Sequence, residues 1–327
     1  MHETEHQGER ALTESGSLPT VKILMVAPRG FCAGVVRSIR AVEDALVRFG
    51  APIYVRRPIV HNLSVVRALE ARGAIFVEEL DEVPEGSVVI MSAHGIPLQV
   101  ADEADRRQFR WFDAVCPLVA KVHREVARHH AAGRHVIMIG HQGHPETVGT
   151  LGQLPANAVT VVGSVEDVRA LTISAQKPVA YAVQTTFSVD DAADVIAALH
   201  SYFDDMIAPP SSDICYATTN RQRAIREAAD RADAIIVVGE SFSSNANRLR
   251  EVALTGTCRS AQLVSDETTL DWAQLDSAKT IAISAAASTP ENSVQRVIDE
   301  LSTRFDLQFE TMGQTRETTV FRPLDFD

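Results

Sequence analysis

Residues 21–35 read VKILMVAPRGFCAGV. A run of aliphatic residues stops at Pro28-Arg29-Gly30, and Cys32 then stands shortly before a helical stretch. In that stretch Ile39, Val42 and Leu46 recur on one face ahead of Gly50. Strand, turn, cysteine and helix in that order make a unit that recurs along the chain. Leu118, Val122 and Val126 follow Cys116 in the same way before Gly133, and Ile225, Ala228, Ala229 and Ala232 follow Cys215. The three cysteines lie 84 and then 99 residues apart, which is far longer than a solenoid repeat. The spacing predicts a domain triplication.

The register continues downstream of each cysteine. Short apolar runs, APIYVRR, SVVIMSA, HVIMIGH, PVAYAVQ, AIIVVGE and TIAISAA, alternate with amphipathic stretches, the pattern of βαβ units and parallel sheets. One such run ends at a polar turn 29, 28 and 28 residues after the cysteines, at His61, His144 and Ser243. A second ends after 62, 69 and 73 residues, at His94, Thr185 and Ser288. Open α/β sheets place ligands beyond the carboxyl ends of their strands. Each repeat is therefore expected to offer one thiol and two polar tips to a common centre. The expected organisation is α/β, with pseudo-repeats over 21–115, 116–212 and 213–310 and the first strand, 21–33, free to pack with the third. A leader is expected over 1–20 and a tail over 311–327. The leader carries Glu3, Glu5, Glu9 and Glu14 against Arg10 and no apolar core, and reads as disordered rather than as a targeting signal.

Composition narrows the function. The 327 residues include 31 Lys+Arg against 43 Asp+Glu, a net charge of −12, which argues against a nucleic-acid or anionic-membrane partner. Apolar runs such as Ala234 to Val238 stop far short of the roughly 20 residues that a bilayer helix needs. Four cysteines in a chain of this length make a poor disulfide framework, so a reducing, cytoplasmic compartment is expected. Cys258, in LTGTCRS, lies outside the register and reads as a buried small residue.

Taken singly, each remaining cysteine could be explained in that way; three in register point to shared chemistry. They form no C-x-x-C pair, and a structural zinc site would want a fourth ligand at close spacing. An iron–sulfur cluster accepts thiolates from distant points, and with three of them a cubane keeps one iron without a protein ligand. Around the thiols the tips supply His61 and Asn62, His94, His144 with Glu146, Ser243-Ser244-Asn245, and Ser288. Most of these are donors suited to phosphate oxygens, and SSNAN opens a helix whose amides favour anions. A diphosphate is the expected ligand. A non-catalytic phosphate-ligand binding protein, with structural or zinc-bound cysteines, is the alternative. His123, His129, His130 and His135 read as structural or solvated, and Arg56-Arg57 as an exposed positive pair.

PRGFCAGV, VHN, AHG, CPLV, GHPET, QTT followed by SVDD, DICYATTNRQ and the SSN–NRL segment resemble the LytB family of 4-hydroxy-3-methylbut-2-enyl diphosphate reductases, from about Val21 to Ser302. The resemblance implies a three-lobed α/β trefoil with a central [4Fe–4S] cluster held by Cys32, Cys116 and Cys215. It implies that His61, His94, His144, Ser243, Ser244, Asn245 and Ser288 surround an allylic diphosphate, and that Glu146 and Thr185 deliver protons. The implied reaction is the last step of the methylerythritol phosphate route, giving isopentenyl and dimethylallyl diphosphate with electrons from a ferredoxin or flavodoxin. Arg57-Pro58 and Phe242 depart from residues common in the family, at the rim of the expected pocket.

Overall fold

The computed structural model describes residues 18–313 and 315–327. Most of the expected leader lies outside the described residues, and its last residue, Thr20, already opens strand β1 (Thr20–Val26). The first lobe comprises α1 (Ala33–Phe49), β2 (Ile53–Arg56), α2 (Leu63–Glu70), β3 (Ala74–Val77), β4 (Val88–Met91), α3 (Leu98–Arg106) and β5 (Arg110–Asp113). The second runs through α4 (Pro117–Ala131), β6 (His135–Ile139), α5 (Pro145–Leu151), β7 (Val159–Val162), α6 (Val165–Arg169), β8 (Val179–Val183), α7 (Val189–Tyr202) and β9 (Met206–Ile207). The third holds α8 (Tyr216–Ala229), β10 (Ala234–Val238), α9 (Ser244–Ala253), β11 (Ser260–Val264), β12 (Thr280–Ala285), α10 (Glu291–Ser302) and β13 (Asp306–Met312).

Each lobe is built on one parallel sheet, with spatial orders β3-β2-β4-β5, β7-β6-β8-β9 and β11-β10-β12-β1-β13. Counted within its own lobe, every sheet runs second, first, third, fourth strand. The third differs only in admitting β1 between β12 and β13, where Lys22 pairs with both Thr280 and Gln308. Parallel sheets covered on both faces need apolar residues throughout their strands, and β6, β8 and β10 are buried at every position. Alternation divides β10 between two cores: Ala234, Ile236 and Val238 join one, Ile235 and Val237 the other.

Two sequence expectations are corrected here. Residue 311 falls inside β13, so the strand claims the start of the expected tail. The segment beyond it is not loose: Phe326 enters the first lobe's core, edge-on to Phe112 at 4.8 Å and Phe49 at 5.6 Å. On the way Glu317 takes a hydrogen bond of 2.9 Å from Nη1 of Arg221, a wholly buried α8 side chain. The tail thus straps the third lobe to the first. Arg56 is also not exposed; it is 5% accessible and pairs with Glu79 at 2.6 Å, while Arg57 takes the other oxygen at 2.9 Å. A counter-charge from the β3 end makes that burial tolerable.

Candidate functional site

Cys32, Cys116 and Cys215 are the N-cap residues of α1, α4 and α8, and all three line one cavity where the lobes meet. Three helix N-termini therefore point their partial positive charge at the thiols, which favours thiolate. Burial acts the other way, pushing the Cys116 thiol up to about 12 and Cys215 up to about 11. The free Cys116 and Cys215 thiols stay protonated at neutral pH, and a bound metal would supply the charge that deprotonates them. Gly34 keeps space open: a Cβ there would come 2.7 Å from Cys116 Sγ and 3.8 Å from Cys32 Sγ. No three His, Cys, Asp or Glu side chains among the described residues converge on a single-ion site. Three thiols that reach one cavity from separate lobes are a donor set that an iron–sulfur cluster accepts. Cys258 is elsewhere, its Sγ against the Ala253 carbonyl at 3.1 Å.

The polar tips meet the thiols in the same cavity. His61 and His94 follow β2 and β4, His144 and Thr185 follow β6 and β8, and Ser243 and Ser288 follow β10 and β12. These strand pairs flank the point where each sheet reverses its order, the position at which open α/β folds bind ligands. Ser244, Asn245 and Glu146, in the first turns of α9 and α5, complete the lining. Twelve residues assigned from the sequence, three cysteines and nine others, are thus brought together; Asn62, also expected at a tip, instead caps α2, its Oδ1 accepting the Val65 N–H at 3.1 Å. Among the described residues no Lys or Arg contributes to this wall.

The three imidazoles form a cluster, with ring centroids 4.2 Å apart for His61–His94, 5.6 Å for His61–His144 and 6.2 Å for His94–His144. Burial lowers His61 to about 4 and His144 to about 3; His94 is driven well down by burial and then by the neighbouring His61, His144 and Arg57, which disfavour a further positive charge. They are neutral at pH 7. His144 Nδ1 accepts the Glu146 N–H at 3.2 Å, which leaves the ring proton on Nε2. His61 Nε2 and both amide atoms of Asn245 are buried without a partner among the described residues. Unsatisfied buried polar groups are costly and uncommon, and clustered at a cavity they mark a ligand position.

Glu146 is 2% accessible. Burial pushes its carboxyl up to about 7, against hydrogen bonds from the Thr185 backbone and hydroxyl that pull it down, and the Asp213 charge adds a smaller upward push.

Sequence reasoning missed several residues at the site. Gln184, wholly buried, accepts the His141 N–H at 2.9 Å and donates to Thr186 Oγ1 at 2.7 Å and Ser244 Oγ at 3.4 Å. It adjoins Thr185 in QTT, so the motif held the signal. Glu240 accepts from Leu63 N at 3.0 Å, and Ser288 Oγ donates to the His61 carbonyl at 2.9 Å, fastening the third lobe onto residues 61–63. Ser288 thus holds His61's backbone as well as lining the cavity. Phe242 sits at the mouth, its ring 5.9 Å from that of His61.

A family profile described as "LytB protein" matches residues 23–302. The 4-hydroxy-3-methylbut-2-enyl diphosphate reductase of Gluconobacter oxydans is 51% identical over 307 residues, covering 93% of this chain and 91% of the relative. The enzyme of the same name from Methylocella silvestris is 50% identical, covering 94% and 96%. The solved structure of the E-1-hydroxy-2-methyl-but-2-enyl-4-diphosphate reductase from Plasmodium falciparum superposes with a TM-score of 0.88 at 38% identity, covering 93% of this chain and 96% of that one.

Proposed function

The chain belongs to the LytB family, and from that premise we propose that it reduces (E)-4-hydroxy-3-methylbut-2-enyl diphosphate to isopentenyl and dimethylallyl diphosphate. This is the terminal step of the non-mevalonate route. The observation that carries the reading is one cavity lined both by three thiols and by polar atoms of His61 and Asn245 that find no partner among the described residues. Cys32, Cys116 and Cys215 would hold a [4Fe–4S] cluster. When bound, such a cluster supplies electrons and an iron without a protein ligand that acts as a Lewis acid toward a substrate oxygen.

The chain's own residues do the rest. The Nε2–H of His144, the His61 and His94 rings, the Asn245 amide and the hydroxyls of Ser243, Ser244 and Ser288 bind the diphosphate. Neutral donors suit a trianion that must be released as product, because each hydrogen bond is replaceable by water. Glu146 stores the proton. Its Oε1 takes the Thr185 N–H, an obligate donor, at 2.6 Å, so the acidic proton belongs on Oε2, 2.9 Å from Thr185 Oγ1. A protonated Oε2 donates to the threonine hydroxyl, which turns its own hydrogen toward the substrate. We take the electron source to be a ferredoxin- or flavodoxin-type carrier and the compartment to be the cytoplasm, a reading that the free thiols of the described cysteines support. Among the described residues no helix is long and apolar enough to cross a membrane.

The test is anaerobic: purified protein is assayed for iron and acid-labile sulfide and then supplied with the allylic diphosphate and reduced methyl viologen. Both products are expected. A colourless, zinc-containing protein without turnover would favour a phosphate-ligand binding protein instead.

A further inference from the structure

We propose that the groove outside Cys32 is the docking surface for an acidic, one-electron carrier protein; the proposal rests on the reductive reading above. Cys32 lines two spaces, the inner cavity and a separate outer groove, whereas Cys116 and Cys215 line the inner cavity and not this groove. Walls of the groove come from the start of α1, from Tyr216 and from the tail between residues 317 and 323. An electron arriving there has the cysteine itself as the partition between carrier and site.

The surface has the composition of a protein interface. Phe31 is 37% accessible, Val36 48% and Val320 88%, three large apolar side chains around one depression. Its rim is cationic. Arg37 donates to the carbonyls of Val115 at 2.9 Å and Arg322 at 3.0 Å, and no carboxylate among the described residues lies within ion-pair distance of it. Arg322, exposed between Phe321 and Pro323, is likewise without an ion pair among those residues, and Arg40 has only a long contact of 3.7 Å with Asp44. Glu317 is neutralised by buried Arg221 at 2.9 Å, and exposed Arg316 beside it adds a further positive charge. A positive, apolar patch on a chain of net charge −12 favours an acidic partner and steers its approach, while the acidic remainder repels a wrong orientation.

The chemistry balances with that partner. Two reduced carriers each give one electron and are oxidised. The allylic C–O bond breaks, the hydroxyl leaves as water with one proton, and a second proton completes a new C–H bond.

The experiment uses the iron-loaded enzyme and an acidic [2Fe–2S] ferredoxin. Binding of oxidised ferredoxin is measured by titration calorimetry at low and high salt for the parent, for the double variant Arg40→Glu with Arg322→Glu, and for Val36→Asp. Turnover is measured with reduced ferredoxin and separately with methyl viologen. Both variants should bind ferredoxin about tenfold or more weakly, the charge reversal should remove the salt dependence, and viologen-driven turnover and iron content should match the parent. Unchanged ferredoxin affinity in both variants overturns the proposal. So does self-association of the parent that the charge reversal abolishes, since the groove would then serve a second copy. Parent protein that binds ferredoxin but never turns over with viologen overturns the reductase reading and the docking role with it.

Discussion

Thr185 engages both carboxyl oxygens of Glu146, its backbone N–H at 2.6 Å from Oε1 and its hydroxyl at 2.9 Å from Oε2. The two bonds differ in consequence. The amide can only donate, so it fixes Oε1 as an acceptor, whereas the hydroxyl can donate or accept and so can pass a proton in either direction. One residue thereby fixes the acid's orientation and forms its outlet.

Glu146→Gln keeps the size of the side chain but cannot give up a proton. Turnover should fall by at least about 100-fold, in the range of lost general acid catalysis, with iron content and substrate affinity retained. The parent's rate should be flat at low pH and decline as pH rises through about 7, because the group raised to that value loses its proton there. The glutamine variant should lack this limb. A pH–rate profile of the two proteins decides the point, and near-normal turnover in the variant would remove Glu146 from the mechanism.

Cys32→Ser, Cys116→Ser and Cys215→Ser should each lose most iron, because a cluster with three protein thiolates has none to spare; Cys258→Ser should keep it. Gly34→Ala is a sharper probe. Alanine is favoured over glycine inside a helix by about 1 kcal/mol, but its Cβ would enter the space beside the Cys116 thiol. Iron loading should drop while the thermal stability of the iron-free protein holds. Full loading of Gly34→Ala would mean that this gap is not part of the cluster seat.

Asn245→Ala removes two buried polar atoms that have no partner among the described residues, so it should weaken substrate binding by about 1.5–3 kcal/mol, roughly 10- to 150-fold, without lowering stability. Ser243→Ala should do both. Its hydroxyl oxygen accepts the Ala246 N–H at 3.3 Å as the N-cap of α9, and losing such a cap costs about 1 kcal/mol. Calorimetric Kd values with parallel denaturant titrations separate the two effects. Unaltered diphosphate affinity in Asn245→Ala would take the third lobe out of the phosphate site.

Phe326→Ala tests the strap. The ring is buried among first-lobe aromatics, and truncating such a phenylalanine costs about 3 kcal/mol or more. The midpoint of urea unfolding should fall accordingly. An unchanged midpoint would make the last residues a passive appendage.

The cysteine register could be read from the sequence because each thiol caps a helix at an equivalent place in a repeated unit, and repeated geometry leaves a repeated spacing. The polar tips were legible for the same reason: the carboxyl ends of the strands beside each reversal point are fixed by the common strand order. Local pattern fails where long-range pairing decides. RWFD at 110–113 has no apolar run, yet forms β5 because β4 offers it a free edge. Arg56 is charged and closes strand β2, which suggests exposure, until Glu79 is brought beside it from the next strand's end. Phe326 lies in a polar, proline-bearing segment, and its burial depends on a pocket between Phe49 and Phe112 that sequence periodicity does not encode. Gln184 was passed over because the register marks one residue per tip, and side-chain reach extends to its neighbours.

The central claim is that this cavity converts an allylic alcohol diphosphate by two-electron reduction. Its most direct test is the stoichiometry of an anaerobic reaction containing the iron-loaded protein, a limiting amount of (E)-4-hydroxy-3-methylbut-2-enyl diphosphate and an excess of reduced methyl viologen. The account predicts two viologen radicals oxidised per substrate consumed, with isopentenyl and dimethylallyl diphosphate together accounting for the substrate lost. Iron-loaded protein that binds the diphosphate but oxidises no viologen and leaves the substrate intact would contradict it.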